Sequence, residues 1–317
     1  MHRVLVTGGA GFIGSRLSEQ LLARGREVVV LDDFSLGRRE FLSGCLSSPR
    51  FRLVEGDLRS PEILAVALEG VGEVYHLAAN SDIRAALIDP GIDYRLEIEG
   101  TYRLLQGLRS FRVERLIFAS SSVVYGDQPV FPTPEDDLAL PISMYGAGKL
   151  AGEAMISAWA HLFGLKALIL RFANVVGPRS THGILHDFMN KLDADPARLE
   201  VLGDGEQEKS FLHVEDCVEG MMFLAGREIE SLVAYNLAPV DAVSVREIAD
   251  MFLAETGSSP RVFFAGGRRG WPGDVPRMSL DPTRAAAAGW QARHTSAEAV
   301  RRAIRELMEE RGARCRR

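Results

Sequence analysis

The chain has 317 residues, of which 46% are hydrophobic and 25% charged, with a formal net charge of -6 at pH 7. This length supports one large domain or two closely joined ones. The acidic balance disfavours a nucleic-acid partner, because binding to phosphates requires basic surface. Apolar runs are too short to span a membrane, no leader-like segment precedes the first strand, and three scattered cysteines predict neither disulfides nor a metal site. We therefore expect a cytoplasmic protein without a metal or a membrane partner.

Six short apolar runs alternate with segments of helical periodicity in the first 172 residues of the chain. The runs are residues 3–8, 27–33, 51–56, 73–79, 115–121 and 166–172, all rich in Val, Ile or Leu. Between them apolar residues recur at three- and four-residue spacing, as at Phe12, Leu17 and Leu21. Buried strands that alternate with helices indicate a parallel sheet covered on both faces. The predicted fold is α/β, a Rossmann-type doubly wound parallel sheet.

A glycine-rich turn follows the first run. The segment "TGGAGFIG" places Gly8, Gly11 and Gly14 three residues apart, between a strand and an amphipathic helix. Glycine allows both the sharp turn and the close approach of a diphosphate, and the helix N-terminus supplies amide donors. The second run ends in Asp32 and Asp33, where a carboxylate can bind ribose hydroxyls and repel a 2′-phosphate. The pattern predicts NAD rather than NADP, with a ligand-free glycine turn as the alternative.

Several polar residues have a structural alternative to a functional role. Asp57, after the third run, is predicted either to accept from the adenine amino group or to serve as a helix cap or loop acid. His76 ends the fourth run and is expected to be a packing residue. His182 and His186 have a spacing that suits a metal, but Gly183 weakens the helix there and no third ligand is evident. No metal is predicted.

Tyr145 and Lys149 stand one helical turn apart in "SMYGAGK", so both side chains can project in the same direction. An exposed ion pair between Lys149 and Glu153 is the structural alternative. The helix follows the fifth run, which ends in "ASSSVVYG", and sheets of this type bind ligands at the carboxyl ends of their strands. Serines 120–122 are therefore expected near the phenol and the ammonium. Because a nearby cation favours phenolate, the pair predicts a proton-transfer site.

After residue 172 the elements become shorter and Gly and Pro more frequent, ending in a predicted helix over 296–311. With all these features the chain resembles the extended short-chain dehydrogenase/reductase family, specifically its nucleotide-sugar epimerases. The shared motifs, in family order over nearly the whole length, are "TGGAGFIG", "YHLAAN", "SSSVVYG", "YGAGK", "RFANVVGPR", "KSFLHVED" and "RGWPGDV". The resemblance implies tightly bound NAD, a UDP-sugar substrate and a homodimer. It also implies an NAD-binding domain at 1–172 and a smaller domain at 173–317, mainly for substrate, with some segments returning to the first domain.

The resemblance also implies roles for individual residues. Tyr145 would be the base, Lys149 the ligand of the cofactor ribose that lowers the pKa of Tyr145, and Ser121 the hydrogen-bond partner of the reacting hydroxyl. The implied cofactor-binding residues are Gly8, Gly11, Phe12, Ile13, Gly14, Asp32, Asp33, Ser35, Gly37, Asp57, Leu58, Leu77, Ala78, Ala79, Ser120, Tyr145, Lys149 and Phe172. The implied substrate-binding residues are Ser121, Ser122, Tyr145, Asn174, Thr181, Lys209, Arg269 and Asp274, with Arg268 as an alternative to Arg269.

Two departures from the family pattern affect the expected reaction. Sugar 4,6-dehydratases and UDP-glucuronate decarboxylases carry an acid one or two residues after the catalytic Ser or Thr, whereas Ser122 and Val123 stand here. Water elimination then lacks a proton donor, which disfavours a dehydratase. In "LEIEGT" Glu97 replaces the asparagine that relatives usually have, and the sequence alone gives no physical reason for it.

The implied reaction is inversion at C4 of UDP-glucose or UDP-galactose through a 4-keto intermediate. The first alternative is a UDP-glucuronate 4-epimerase, in which the hydroxyls of Ser122 and Thr181 would bind the sugar carboxylate. Hydroxyls stabilise a buried carboxylate less than an Arg fork does, which favours the neutral hexose. A nucleotide-sugar dehydrogenase or reductase and a non-enzymatic NAD sensor are the remaining alternatives.

Overall fold

A computed structural model describes residues 3–127 and 130–314. Its strands, β1–β14 in chain order, are Arg3–Thr7, Val28–Asp32, Phe51–Glu55, Val71–His76, Arg115–Ser121, Lys166–Phe172, Asn174–Val176, Arg198–Val201, Glu208–Lys209, Phe211–His213, Leu232–Leu237, Val243–Ser244, Arg261–Phe264 and Arg277–Met278. Its α-helices, α1–α10, are Phe12–Ala23, Pro61–Leu68, Gly91–Asp93, Gly100–Ser110, Met144–Phe163, Ile184–Ala194, Val214–Ala225, Val245–Thr256, Thr283–Ala287 and Ser296–Arg314. A π-helix, Tyr94–Glu99, joins α3 to α4. Among the described helices, none is both long and apolar enough to cross a membrane.

The largest sheet has seven strands in the order β11-β6-β5-β4-β1-β2-β3. β1 lies between β2 and β4 and is parallel to both, so the direction of strand addition reverses on either side of β1. The six apolar runs are β1 to β6, which confirms the predicted Rossmann-type sheet. The seventh strand, β11, was not predicted. It lies at the edge, where four of its six residues are only half-buried, so it lacks the continuous apolar run of a central strand.

The chain forms two compact units. The first comprises residues up to Val124, Met144–Arg171 and Met221–Tyr235. The second comprises Tyr125–Ser143, Phe172–Gly220 and the residues from Asn236 onward. Each unit therefore contains segments that are distant in sequence.

Each unit has its own apolar core. In the first, residues of the central strands such as Leu5 and Val29 pack with Leu104 of α4 and Ile156 of α5, and Leu58 covers the margin. Since β2 is buried along its whole length, helices must cover both faces of this sheet. The core of the second unit is formed around α6, α8 and α10, with strands β7, β8, β10 and β12.

Candidate active site

The chain turns sharply between β1 and α1. Gly8 has a φ of +67°, and a Cβ there would lie 2.7 Å from the backbone nitrogen of Ala78. A Cβ at Gly14 would lie 2.2 Å from the carbonyl oxygen of Gly8. Both positions therefore require glycine. The turn lies against the segment that follows β4, at the switch point where ligands bind in sheets of this type.

The N-terminus of α1 offers backbone donors to an anion. Gly11 is the N-cap of the helix and makes no side-chain hydrogen bond to it. Within the part of the chain that the structure describes, the first turn, which starts with Phe12 and Ile13, contains no acidic residue. Such a terminus has N–H groups without intrahelical partners and a partial positive charge. This arrangement fits the diphosphate of a dinucleotide.

Asp32 links the glycine turn to the loop after β2. Its Oδ2 accepts a hydrogen bond from the backbone N–H of Ala10 at 2.8 Å, and its Oδ1 accepts from that of Phe34 at 2.9 Å. Burial raises the pKa of Asp32, and these two backbone hydrogen bonds oppose the rise. A Cβ at Gly37 would lie 2.7 Å from Asp32 Oδ1, so glycine keeps space beside the carboxylate. The predicted ribose contact of Asp32 stays a prediction.

Two further acids predicted to bind the cofactor have partners within the protein. Asp33 accepts hydrogen bonds from the backbone and the hydroxyl of Ser35. Asp57 Oδ2 lies 2.6 Å from the Arg59 guanidinium, whose hydrogen bond lowers the pKa of Asp57. Ser60, and not Asp57, caps α2, so the helix-cap alternative is wrong and Asp57 is a paired loop acid. Its contact with adenine stays a prediction.

Residues 77–79, which follow β4, pass beside the end of β1. Leu77 donates its backbone N–H to the carbonyl oxygen of Thr7 at 3.1 Å, and Ala78 donates to the Thr7 hydroxyl at 3.3 Å. His76 is buried, with Nδ1 2.7 Å from Thr7 Oγ1 and Nε2 3.1 Å from Thr101 Oγ1. Burial lowers the pKa of His76 to about 3. His76 is thus a neutral packing residue, as the sequence predicted.

The end of β5 presents three serine hydroxyls with different surroundings. Ser120 and Ser122 are buried, whereas Ser121 is half-buried and accepts a hydrogen bond from Val123 N–H at 3.4 Å. Ser120 donates to Glu153 at 2.5 Å. Of the three serines, Ser121 is the least buried residue, which suits its predicted contact with a reacting hydroxyl.

Lys149 forms an ion pair that the sequence analysis missed. Its Nζ lies 3.0 Å from Glu97 Oε2, and these side chains are only 2% and 1% exposed. Glu97 Oε1 accepts from the backbone N–H of Asn80 at 2.8 Å. Glu153 instead binds Arg171, so the predicted alternative of a Lys149–Glu153 surface pair is wrong. The signal for Glu97 was its replacement of asparagine in "LEIEGT", but its partner is 52 positions away in sequence.

Tyr145 is half-buried in the first turn of α5, and Lys149 Nζ lies 5.6 Å from the centre of its ring. The two side chains therefore share one side of the helix, as predicted. Desolvation on burial raises the pKa of Tyr145, and the charges of Glu97 and Asp93 raise it further. The resemblance implied that Lys149 lowers the pKa of Tyr145. In the protein without cofactor, the carboxylate of Glu97 offsets the charge of the Lys149 ammonium.

In the second unit the predicted diphosphate ligands gather around one acid. Lys209 Nζ lies 2.5 Å from Asp274 Oδ1. Arg269 donates to the backbone carbonyl of Asp274 and pairs with Asp127 at 2.5 Å. Arg268 is more exposed and lies 4.0 Å from Asp127. The structure thus brings Lys209, Arg269 and Asp274 together, and the choice of Arg269 over Arg268 as the diphosphate ligand stays a prediction.

The other predicted substrate residues of this unit have local partners. Asn174, the first residue of β7, makes two hydrogen bonds to the carbonyl oxygen of Ser210, one from its backbone and one from its side chain. Ser210 follows Lys209, so Asn174 belongs to the same part of the unit. Thr181 Oγ1 lies 3.4 Å from His182 Nδ1. Phe172, predicted to contact the cofactor, is buried at the end of β6.

Residues 4–238 match the model of the NAD dependent epimerase/dehydratase family. The chain is 34% identical over 309 residues to the UDP-glucose 4-epimerase of Mycolicibacterium smegmatis, covering 95% of this chain and 97% of that protein. It also resembles a crystal structure of UDP-galactose 4-epimerase, with a TM-score of 0.86 and 39% identity over 97% and 99% of the two chains. MoeE5, solved with UDP-glucuronic acid and NAD, has a TM-score of 0.85 and 32% identity over 98% and 99%. MoeE5 has been solved with UDP-glucose and NAD as well.

Proposed function

Because the chain belongs to the NAD-dependent epimerase/dehydratase family, we propose that it inverts C4 of UDP-glucose or UDP-galactose with retained NAD. The observation that carries the proposal is the placement of Tyr145 and Lys149 on one side of α5, with Lys149 Nζ 5.6 Å from the Tyr145 ring. The same unit provides the glycine turn and the acid that a dinucleotide requires. The similar UDP-glucose and UDP-galactose 4-epimerases support the choice of sugar.

In the proposed mechanism Tyr145, as phenolate, accepts the proton of the sugar C4 hydroxyl. Ser121 hydrogen-bonds to the same oxygen and holds it towards Tyr145. The glycine turn after β1 and the N-terminus of α1 would hold NAD, which would supply the hydride chemistry at C4. The 4-keto sugar turns to present its other face, and Tyr145 then returns the proton to the C4 oxygen. Lys149 binds the cofactor ribose and stabilises the phenolate by its charge.

The diphosphate of the substrate is assigned to Lys209 and Arg269. Both are cations, and charge-assisted hydrogen bonds to phosphate oxygens are stronger than neutral ones. Asp274 holds both residues in the protein, through its carboxylate for Lys209 and its backbone carbonyl for Arg269. Firm binding of the nucleotide leaves the sugar free to turn, which an epimerase requires.

UDP-glucuronate is the second candidate substrate, and the resemblance to MoeE5 in complex with UDP-glucuronic acid supports it. The sugar carboxylate would need donors, and the sequence offers the neutral hydroxyls of Ser122 and Thr181. A hydroxyl stabilises a buried carboxylate less than a guanidinium does. We therefore place the neutral hexose first.

Incubation with a panel of nucleotide sugars, without added NAD, tests the proposal. Proton NMR should show conversion between UDP-glucose and UDP-galactose, with Tyr145→Phe as the inactive control. A higher kcat/KM for UDP-glucuronate would reverse the ranking of the two sugars. Turnover that requires added NAD and yields a net oxidised or reduced sugar would contradict an epimerase.

A further inference from the structure

Glu97 is held in place by packing as well as by charge. It lies in the π-helix, an uncommon element that often marks functional sites. A Cβ at Gly148 would lie 2.6 Å from the Cβ of Glu97, so the π-helix contacts α5 in the turn that carries Lys149. With Asn80 donating to Oε1, the other oxygen, Oε2, points at the ammonium. Glu97 therefore has one well-defined orientation.

A second buried acid lies beside this pair. Asp93 Oδ1 accepts from Asn80 Nδ2 at 2.8 Å, and its Oδ2 has no hydrogen-bond partner among the described residues. Desolvation on burial raises the pKa of both Asp93 and Glu97, and the charge of Lys149 opposes the rise. The charge of Asp93 therefore also acts on Lys149 and Tyr145, although the ammonium is paired with Glu97.

Other charged groups around α5 are more distant from this cluster or already paired. His76, on β4, is buried and neutral, because burial lowers its pKa to about 3. Arg84, in the 3₁₀ turn after β4, is exposed. On α4, Arg103 pairs with Glu99 at 3.8 Å, and exposed Arg109 stacks on a phenylalanine at the far end of α5. Among the described residues, Glu97 is therefore the anion paired with Lys149.

We propose that Glu97 is a positioning residue, whose carboxylate fixes the position of the Lys149 ammonium. Its negative charge also shifts the pH range in which Tyr145 acts as a base to higher pH than an amide at this position would. The inference rests on the proposed role of Tyr145 as base. A carboxylate 3.0 Å from Lys149 Nζ cancels part of the positive charge that favours phenolate. An asparagine or glutamine in the same position would leave that charge intact.

The test is a titration of Tyr145 in wild type and Glu97→Gln, each with retained NAD. Tyrosinate absorbance is recorded against pH, and the same curve for the matching protein with Tyr145→Phe is subtracted. Because negative charge raises the pKa of a phenol, its removal should lower the midpoint by about one pH unit. The rising limb of kcat/KM against pH should move the same way, since the base must be deprotonated.

Glu73→Gln is the matched control. Glu73 is a buried carboxylate of the same unit that pairs with Arg26 and Arg115 at 3.2 and 3.4 Å, near the opposite end of β4. This variant should lose stability without moving the midpoint of Tyr145. If Glu97→Gln does not fold, Glu97→Asn, which carries the relatives' amide, replaces it.

A midpoint that moves by less than about 0.3 unit, or equally in Glu73→Gln, would overturn the inference. The titration needs no sugar, so its outcome is independent of the substrate panel. If no sugar of the panel were converted but the midpoint shifted, the proposed substrate would be wrong and the proposed role of Glu97 would stand. If the midpoint did not shift but the enzyme converted the sugars of the panel, the proposed substrate would stand and the proposed role of Glu97 would fall.

Discussion

Glu153 and Arg171 form a two-pronged ion pair inside the first unit, with Nε–Oε1 and Nη2–Oε2 distances of 3.0 and 2.6 Å. Both side chains are at least nine-tenths buried. The pair joins α5 to β6, and the Ser120 hydroxyl donates to the same carboxylate. It therefore ties the end of β5 to the helix that carries Tyr145.

Glu153→Ala should destabilise the fold strongly, because it removes one partner of a buried, two-pronged ion pair. We expect a loss of about 3 to 5 kcal/mol in the free energy of unfolding, measured with urea at pH 7. Glu206→Ala, which breaks an exposed pair with Arg246, is the control and should change stability little. Equal losses in the two variants would contradict the structural role of Glu153.

Tyr145→Phe should abolish turnover while the protein stays folded and retains NAD, since only one oxygen is removed. We expect kcat to fall by at least about a hundredfold, the usual contribution of a general base. Tyr102→Phe, at an exposed tyrosine on α4, should keep wild-type activity. Activity of Tyr145→Phe within about tenfold of wild type, roughly 1.4 kcal/mol of barrier, would show that another group is the base.

Asp32→Ala should narrow the preference for NAD over NADP, because it removes the negative charge predicted to repel a 2′-phosphate. It should also weaken binding of NAD itself, since Asp32 holds the backbone of Ala10 and Phe34. Calorimetric titration of both cofactors measures the two effects. Asp195→Ala, at an exposed acid of the second unit, is the control and should leave the preference unchanged. Equal affinity of wild type for NAD and NADP would contradict the assignment.

His76 should make the fold sensitive to mild acid. Its pKa is lowered from 6.5 to about 3, so neutral His76 contributes stability that is present above pH 6.5 and lost as pH falls towards 3. Between pH 6.5 and pH 5 this single group should cost about 2 kcal/mol of unfolding free energy. Urea titrations at both pH values should show a smaller loss in His76→Gln. His161→Gln, at an exposed position, should behave like wild type.

The parts of the fold that depend on local pattern were predictable. Central strands such as β2 are continuous apolar runs, and the glycine turn after β1 is recognisable from its spacing alone. β11 was missed because an edge strand has a half-buried, less distinctive sequence. The homodimer stays a prediction from the resemblance, and the cytoplasmic location stays a prediction from the composition.

Only those contacts of the site could be predicted whose residues stand close together in one sequence motif. Tyr145 and Lys149 stand four positions apart, so a helix places them together. The pairing of Lys149 with Glu97 arises when the π-helix packs on α5, and no local pattern encodes it. Likewise, the helix spacing alone left open a pair between Glu153 and Lys149, but the Glu153 carboxylate binds Arg171 of β6 instead.

The helix that carries Tyr145 packs closely against its neighbours at two glycines, where there is no room for a side chain. A Cβ at Gly148 would lie 2.6 Å from Glu97 Cβ, and one at Gly152 would lie 2.9 Å from the Phe118 ring. A single methyl group at either position would push the helix outward, and Tyr145 and Lys149 would travel with it as a rigid body. Displacements of about 1 Å suffice to slow an enzyme a hundredfold. Substitution of Gly148 or Gly152 should therefore inactivate the protein, although neither glycine has a side chain that could take part in the reaction. Mutagenesis restricted to residues with reactive side chains would overlook both positions.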